Sequence, residues 1–301
     1  MQEILHVVLH LQNPQQRWVF SREPAINPAF AIAEVVWILS GRNDSAFLNY
    51  FLSSLPKFAG NDDTYHGAYG HRLRAAFGMD QLNRAFHTLA AVPSSRQVVL
   101  QFWNPPSDMP SHAGIPAAPD IPCNVCALLK IRDGQLHWTQ IIRSNDVFRG
   151  LPYNLVQFTT LHEVMAGWLK VGLGPYVHYA DSLHLYESDI DAVRKSAKCD
   201  ACANRDELSA SYEDTITFVR ELEALIEAII SPAIDADALD ERVNDLNIPS
   251  AWRNMAVVLV SEGCRKRGRD DLARSSINTC SNPVFLQLAS RWCKRLAAAS
   301  K

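Results

Sequence analysis

The sequence predicts a mixed α/β fold of the α+β kind: a mixed twisted sheet with covering helices, followed by a helical carboxy-terminal portion. Three observations carry this. Asp133-Gly134 is a tight-turn pair between two apolar-rich runs, residues 123–132 and 135–143, which reads as an antiparallel hairpin. Two long apolar segments, beginning near Asn27 and Asn154, have helical length and start signals. Beyond about Asp189 the apolar positions recur at three- and four-residue spacing, as in DELSASYEDTITFVRELEALIEAII.

In chain order, Asn27-Pro28 supplies a cap and a first-turn proline, and AFAIAEVVWILS then carries an almost wholly apolar, buried helix to Gly41. A second helix is expected over Asp44 to Leu55. FAGNDDTYHGAYG is a loop rich in Gly, Asn and Asp, placed to face a substrate. Residues 80–91 read as helix and Gln97 to Trp103 as a buried strand, after which a proline-rich excursion, NPPSDMPSHAGIPAAPDIP, delivers the chain to Cys123. Asn154 is expected to cap a helix running to about Lys170, with a strand over Tyr176 to Ala180 and the segment SLHLY after it. Residues 1–195 are expected to form a catalytic core, with residues 196–301 a helical region packed on it as one domain.

Composition narrows the function classes. The chain has 301 residues, 48% of them hydrophobic, enough for one large domain. A net charge of -3 provides no global field for nucleic acid or an anionic membrane, so anion binding has to come from local arginines. Small-molecule chemistry is the expectation, without nucleic-acid or membrane partners. The start of the chain lacks the pattern of a secretory signal and no stretch approaches a membrane span, which places the protein in the cytoplasm. Seven cysteines, an odd number spread along the chain, are then free thiols.

Two Cys-x-x-Cys pairs, Cys123/Cys126 and Cys199/Cys202, raise a zinc reading. Positions three apart on a strand face opposite sides, which argues against Cys123 and Cys126 sharing an ion. For Cys199 and Cys202, half-buried or exposed thiols are the commoner explanation, and no metal is expected. Cys264, Cys280 and Cys293 are read as helix-packing residues.

The run from Ile121 to Asn154 gathers a proline-preceded cysteine, an Arg-Ser pair, an Asp and an Asn in one antiparallel unit, so that both ends could touch one anionic ligand. Arg143 and Ser144 offer a forked cation and a hydroxyl suited to a phosphate monoester. Asn154 has a donor and an acceptor for the polar edge of a pyrimidine, although a flipped amide serves cytosine as well as uracil. Glu34, within FAIAEVVWIL, is a carboxylate that burial would push towards protonation, which makes it a candidate proton shuttle. Taken singly each has a plainer reading: a buried strand cysteine, a solvated arginine, a helix cap.

In order along the chain, Pro122-Cys123, Arg143-Ser144, Asp146-Val147-Phe148, Gly150-Leu151-Pro152-Tyr153-Asn154 and His184-Leu185-Tyr186 resemble the motifs of the thymidylate synthase family. Glu34, Tyr69-Gly70 and Ser95-Arg96 also have counterparts, and the likeness covers roughly residues 27 to 190. The resemblance implies transfer of a one-carbon unit from 5,10-methylenetetrahydrofolate to carbon 5 of a pyrimidine nucleoside monophosphate, foremost dUMP to dTMP. Cys123 is the implied nucleophile at carbon 6, and an adjacent cation such as Arg143, or backbone donors near Asn124, is expected to lower its pKa. Glu34 moves protons and Tyr69 helps remove the carbon 5 proton, with Asn124 standing where the family usually has His. Arg143, Ser144 and Arg96 bind phosphate, Arg96 being lent by the partner subunit of a homodimer with a shared active site. Arg22, ranked above Arg17, stands in for the family's amino-terminal phosphate-binding arginine. Asn154 reads the base, His184 and Tyr186 the sugar, and Asp146 and Gly150 the folate.

Departures from the family open two alternatives. The tryptophan-bearing segment before the Tyr69 motif has no clear counterpart, and the chain ends in RWCKRLAAASK where the family has strands and a short closing segment. If the site is open, water captures the exocyclic methylene and the product is a 5-hydroxymethyl (d)UMP or (d)CMP. A catalytically silent nucleotide sensor is the second alternative, opposed by the retention of Cys123 and Glu34.

Overall fold

The computed structural model describes residues 1–196 and 200–299. Cys199 lies outside the described residues. Strands are β1 (Gln2–Leu11), β2 (Val99–Gln101), β3 (Asn124–Arg132), β4 (Gln135–Ile142), β5 (Asn145–Asp146) and β6 (Gly172–Leu185). Helices are α1 (Pro28–Leu39), α2 (Ser45–Asn49), α3 (Pro56–Ala59), α4 (Tyr69–Arg74), α5 (Gln81–Ala91), α6 (Pro105–Asp108), α7 (Leu151–Leu169), α8 (Ile190–Lys195), α9 (Tyr212–Ile230), α10 (Ala236–Asp245), α11 (Ser250–Lys266), α12 (Asp270–Asn278) and α13 (Pro283–Ala299).

The sheet has the order β1-β6-β4-β3-β2, with β5 also pairing β6. β3 and β4 are antiparallel and form the expected hairpin, and Asp133 and Gly134 both take positive φ, at 52° and 71°. β4 and β6 run parallel because α7 carries the chain back across the sheet between them. One sheet face, presenting Ala127, Leu129, Trp138 and Tyr176, is buried. The other presents Ile4, Val8 and Val99, which are 65%, 59% and 47% exposed, together with half-buried Leu128, Ile141 and Val177.

Helix α1 forms as its sequence dictates. The Asn27 side chain accepts from the Phe30 N–H, Pro28 occupies the first turn, and every residue of the helix but Glu34 is buried. It packs against α7 and also against α9, α11 and α13, so the helical carboxy-terminal elements share its hydrophobic cluster. Gly70 permits a close approach here: a Cβ would lie 2.6 Å from the Ile38 backbone, so α4 rests directly on α1.

Several local expectations are corrected. The second helix stops at Asn49, because the Phe51 carbonyl accepts from Asn27 Nδ2 and Leu55 N–H turns back to Leu52, just before Pro56. The strand expected over residues 97–103 is only β2, an edge strand with alternating burial. Helix α7 starts at Leu151, with Pro152 in its first turn, so Asn154 is a helix-interior residue and not the cap. The strand at 176–180 and SLHLY are one continuous strand, β6. Residues 200–211 are not helical, and α9 begins at its Ser211 cap. β1 has no counterpart in the sequence expectations. Of the late cysteines, Cys264 is buried on α11, Cys280 is buried in the turn before α13, and Cys293 is exposed.

The amino-terminal segment is fastened to α7 by a buried ion pair. Arg17 donates to Glu163 and, at 2.6 Å, to Thr160 Oγ1, while Glu163 also accepts from Gln15 and from the Leu208 N–H. Replacing Glu163 by alanine would leave a buried guanidinium unpaired, at a cost of about 3 to 5 kcal/mol and roughly 10 °C in melting temperature. Thermal unfolding followed by circular dichroism checks this, and an unchanged transition would contradict it.

Candidate active site

The hairpin brings together what the sequence separates. Arg143 N–H donates to the Cys123 carbonyl at 2.9 Å, closing the open end of β3 and β4. The Arg143 guanidinium donates through Nε to Pro122 O and through Nη2 to Ile121 O, which fixes it beside Cys123. It also lies over the Trp103 ring, 5.3 Å from the centroid. Ser144 follows, half-buried. Register breaks between Asn124 and Cys126, and this bulge lets Asn124 and Ala127 both point into the core.

Glu34 on α1 and Tyr69 on α4 close the site from the helical side. Tyr69 is in electrostatic reach of Cys123, Asp120 and Glu34 and adjoins the Asn124 amide; its ring packs edge-on to Phe102. Burial pushes the Tyr69 hydroxyl well above its ordinary range, so it is neutral. Burial raises the Glu34 carboxyl to about 8, opposed by a hydrogen bond from Gln157. The Cys123 thiol is corrected in sign: Arg143 pulls it down as expected, but burial is the larger effect and raises it.

At the far end of the site β5 pairs with β6 so that Asp146 lies opposite His184. Asp146 Oδ1 accepts from the Phe148 and Arg149 N–H groups, each at 2.7 Å, leaving Oδ2 facing inward. The His184 ring stands edge-on to Tyr186, which is 44% exposed. Arg22 donates to Phe148 O and Pro24 O, which ties it to the 146–150 turn, whereas Arg17 is spent in its ion pair with Glu163. Arg96 is exposed just before edge strand β2 and is not joined to this cluster. Gly150 abuts Asn154: a Cβ there would lie 3.1 Å from Asn145 Nδ2 and 3.6 Å from Asn154 Oδ1.

Sequence reasoning missed the polar residues that hold the site together. Trp138 Nε1 donates to Gln140 Oε1, and Gln140 Nε2 donates to Asn124 Oδ1 at 2.8 Å. Because an indole can only donate, it fixes the Gln140 amide and through it the Asn124 amide, whose Nδ2 is left as an oriented donor. Asn145, Gln157 and His178 form a second such chain through Asn154. Asp120, beside Cys123 and Tyr69, accepts from the Gly67 N–H at 2.9 Å and holds the 60–68 loop against the site. Strand alternation was the available signal for His178, which shares a face with Tyr176 and Ala180 and had to be a buried polar group.

Among the described residues, seven buried side-chain N or O atoms have no hydrogen-bond partner, and four of them are Glu34 Oε2, Asn124 Nδ2, Asp146 Oδ2 and His184 Nδ1. Unpaired buried polar groups are costly, and their concentration on one set of converging residues marks a ligand site with two carboxyl oxygens, one amide donor and an imidazole nitrogen.

Against known proteins, the thymidylate synthase family model matches residues 22–216, more than half of the chain. The chain belongs to the thymidylate synthase family. Deoxyuridylate hydroxymethyltransferase of Bacillus phage SP01 is 35% identical over 203 residues, 64% of this chain and 52% of that protein. The protein of the same description from Pseudomonas phage M6 is 34% identical over 193 residues, 64% of this chain and 53% of its own length. The chain thus spans about half the length of these relatives. The solved structure of thermostable thymidylate synthase A from Bacillus subtilis shares the fold, with a TM-score of 0.55 at 24% identity over 67% of this chain and 73% of that one. The thymidylate synthase match ends at residue 216, so α10 to α13 lie beyond it. Among the described residues no cluster suited to a metal ion occurs, and no helix is long and apolar enough to cross a membrane.

Proposed function

We propose that the protein transfers a one-carbon unit from 5,10-methylenetetrahydrofolate to carbon 5 of a pyrimidine nucleoside monophosphate, most simply dUMP, through a covalent Cys123 adduct. The observation that carries this is the set of unpaired polar atoms on Glu34, Asn124, Asp146 and His184 around a half-buried cysteine braced by Arg143. Sulfur addition at carbon 6 places an electron pair at carbon 5, which then attacks the folate-borne carbon. Arg143 and Ser144, with Arg22, hold the phosphate; Asn154 and Asn124 take the polar edge of the base; His184 and Tyr186 take the sugar. Asp146, with its unpaired Oδ2, suits a folate N–H donor, so the residues present fit the co-substrate. Glu34 and Tyr69 handle the carbon 5 proton.

The protein acts as a cytoplasmic homodimer in which the uncovered sheet face bearing Ile4, Val8 and Val99 packs on its twofold mate. Arg96, exposed just before edge strand β2, is the residue this reading lends to the partner's phosphate site. Reductive methylation to dTMP is one end of the reaction. Hydroxymethylation is the second, favoured by the two phage relatives named deoxyuridylate hydroxymethyltransferase.

Mass spectrometry after incubation with methylenetetrahydrofolate and dUMP, UMP, dCMP or CMP tests the proposal. A methylated nucleotide with dihydrofolate assigns methylation, and a hydroxymethylated one with tetrahydrofolate assigns hydroxymethylation. No product from any of the four would overturn one-carbon transfer and leave the nucleotide sensor.

A further inference from the structure

A single file of buried hydrogen bonds links the sheet to Glu34. Tyr176 Oη lies 3.0 Å from His178 Nδ1, His178 Nε2 lies 2.8 Å from Asn145 Oδ1, and Asn145 Nδ2 donates to Asn154 Oδ1 at 2.9 Å. Asn154 Nδ2 donates to Gln157 Oε1 at 3.0 Å, and the Gln157 amide reaches Glu34. Tyr176, His178 and Gln157 are each at most 3% exposed, and Asn145 is 3% exposed.

The direction of this chain follows from its first member. Tyr176 is fully buried, and its hydroxyl meets His178 Nδ1 as its one polar partner among the described residues, so the O–H donates there. His178 is held neutral, burial lowering it to about 4, so with Nδ1 accepting its single proton sits on Nε2. Nε2–H then donates to Asn145 Oδ1, which turns the Asn145 amide donor towards Asn154 Oδ1. Asn154 retains one Oδ1 lone pair and one Nδ2–H for a ligand, with their positions fixed.

We infer that Tyr176, His178 and Asn145 are positioning residues that lock the Asn154 amide in one orientation and thereby set uracil against cytosine recognition. Uracil offers N3–H beside the carbonyl at position 4, whereas cytosine offers a bare N3 beside an amino group. An amide reads one with a given orientation and the other only after exchanging its ends. Reversing the chain would demand the other His178 tautomer, leave the Tyr176 hydroxyl proton without an acceptor, and turn Gln157 Oε1 towards Glu34. Selectivity thus originates two residues beyond the amide that touches the base. This inference rests on the pyrimidine nucleotide reading above and deepens it.

The test is binding of dUMP and dCMP by isothermal titration calorimetry, without folate, to the full chain and two variants. Asn145→Asp places an acceptor where Asn154 Oδ1 now receives a hydrogen bond, so Asn154 must turn its amino group to it; the dUMP to dCMP preference is expected to invert. Tyr176→Phe removes the anchoring hydroxyl and keeps the ring, so the preference is expected to fall by roughly tenfold, the factor one unpaired buried donor enforces. Loss of affinity for both nucleotides in equal measure, in whichever variant folds as judged by its melting transition, would overturn the lock. So would an unchanged ratio in Tyr176→Phe. Failure of the unmodified protein to bind any of the nucleotides would instead overturn the functional reading on which the lock rests, and a native preference for dCMP would reassign the base while the exchange of preference still decides the lock.

Discussion

Replacing Cys123 by serine is expected to lower turnover by roughly 10³-fold or more while leaving the dissociation constant for the nucleotide within about threefold. A hydroxyl is a hard, far weaker nucleophile towards carbon 6 of a pyrimidine, yet it fits the space of a thiol. The backbone of Cys123 keeps its hydrogen bond from Arg143 N–H, so Arg143 is left in place. In the unmodified protein burial raises the Cys123 thiol and Arg143 opposes it, so the thiolate fraction, and with it kcat/KM, is expected to climb with pH through the neutral and alkaline range. Single-turnover kinetics and a nucleotide titration on the same preparation check both statements. A serine variant that turns over normally would remove covalent catalysis; a cysteine enzyme that loses nucleotide binding on the same change would instead show that the sulfur holds the ligand.

The same residues show which parts of the molecule could be read from sequence. The β3/β4 hairpin was legible because Asp133-Gly134 is a chemical signature of positive φ, and α1 because cap, proline and apolar run all agree. Pairing the two runs of that hairpin brought Cys123 to Arg143, as the register does, whereas the pairing of Asp146 with His184 across β5 and β6 emerged only in the fold. The start of α7 was misplaced because Asn154 looks like a cap, whereas Pro152 in the first turn and its own bonds to Asn145 and Gln157 make it an interior side chain. β1 escaped notice because it is an edge strand with both faces largely exposed, so no alternation of apolar and polar residues marks it.

The two amide chains were illegible for a different reason. Trp138, Gln140 and Asn124, or Tyr176, His178, Asn145, Asn154 and Gln157, are drawn from elements whose adjacency depends on strand register, and Gln140 meets His178 across β4 and β6 only in the fold. Each of these residues taken alone looks like a misplaced polar group in an apolar context. Together they satisfy one another and expend their remaining donors and acceptors on the site. Their logic is tertiary, and so is the base selectivity proposed for the second of them.

Glu34→Gln is expected to separate stability from activity, because the carboxyl is a liability to folding and, in the proposed reaction, the group that moves a proton. In the folded state burial holds Glu34 at about 8 against an ordinary 4.5, so between those values the folded protein keeps a proton that the unfolded chain has released. The unfolded state binds fewer protons there, and this residue's contribution makes stability fall as pH rises from 4.5 to 8. At pH 7 the penalty is on the order of 3 kcal/mol, from about 1.4 kcal/mol per pH step above the ordinary value. Glutamine does not titrate and its carbonyl can still accept from Gln157, so the variant should be the more stable protein above pH 5, with a flatter stability profile in chemical denaturation at pH 5 and pH 8. It should also lose roughly 10² to 10⁴ in turnover, since an amide cannot relay the proton. A variant that is destabilised at pH 8 would show Glu34 to be ionised and paired in the fold, and one that keeps full activity would remove it from the reaction. The expected pairing of gain and loss follows from one placement: a single carboxylate set in the middle of an otherwise apolar helix whose other residues are all buried.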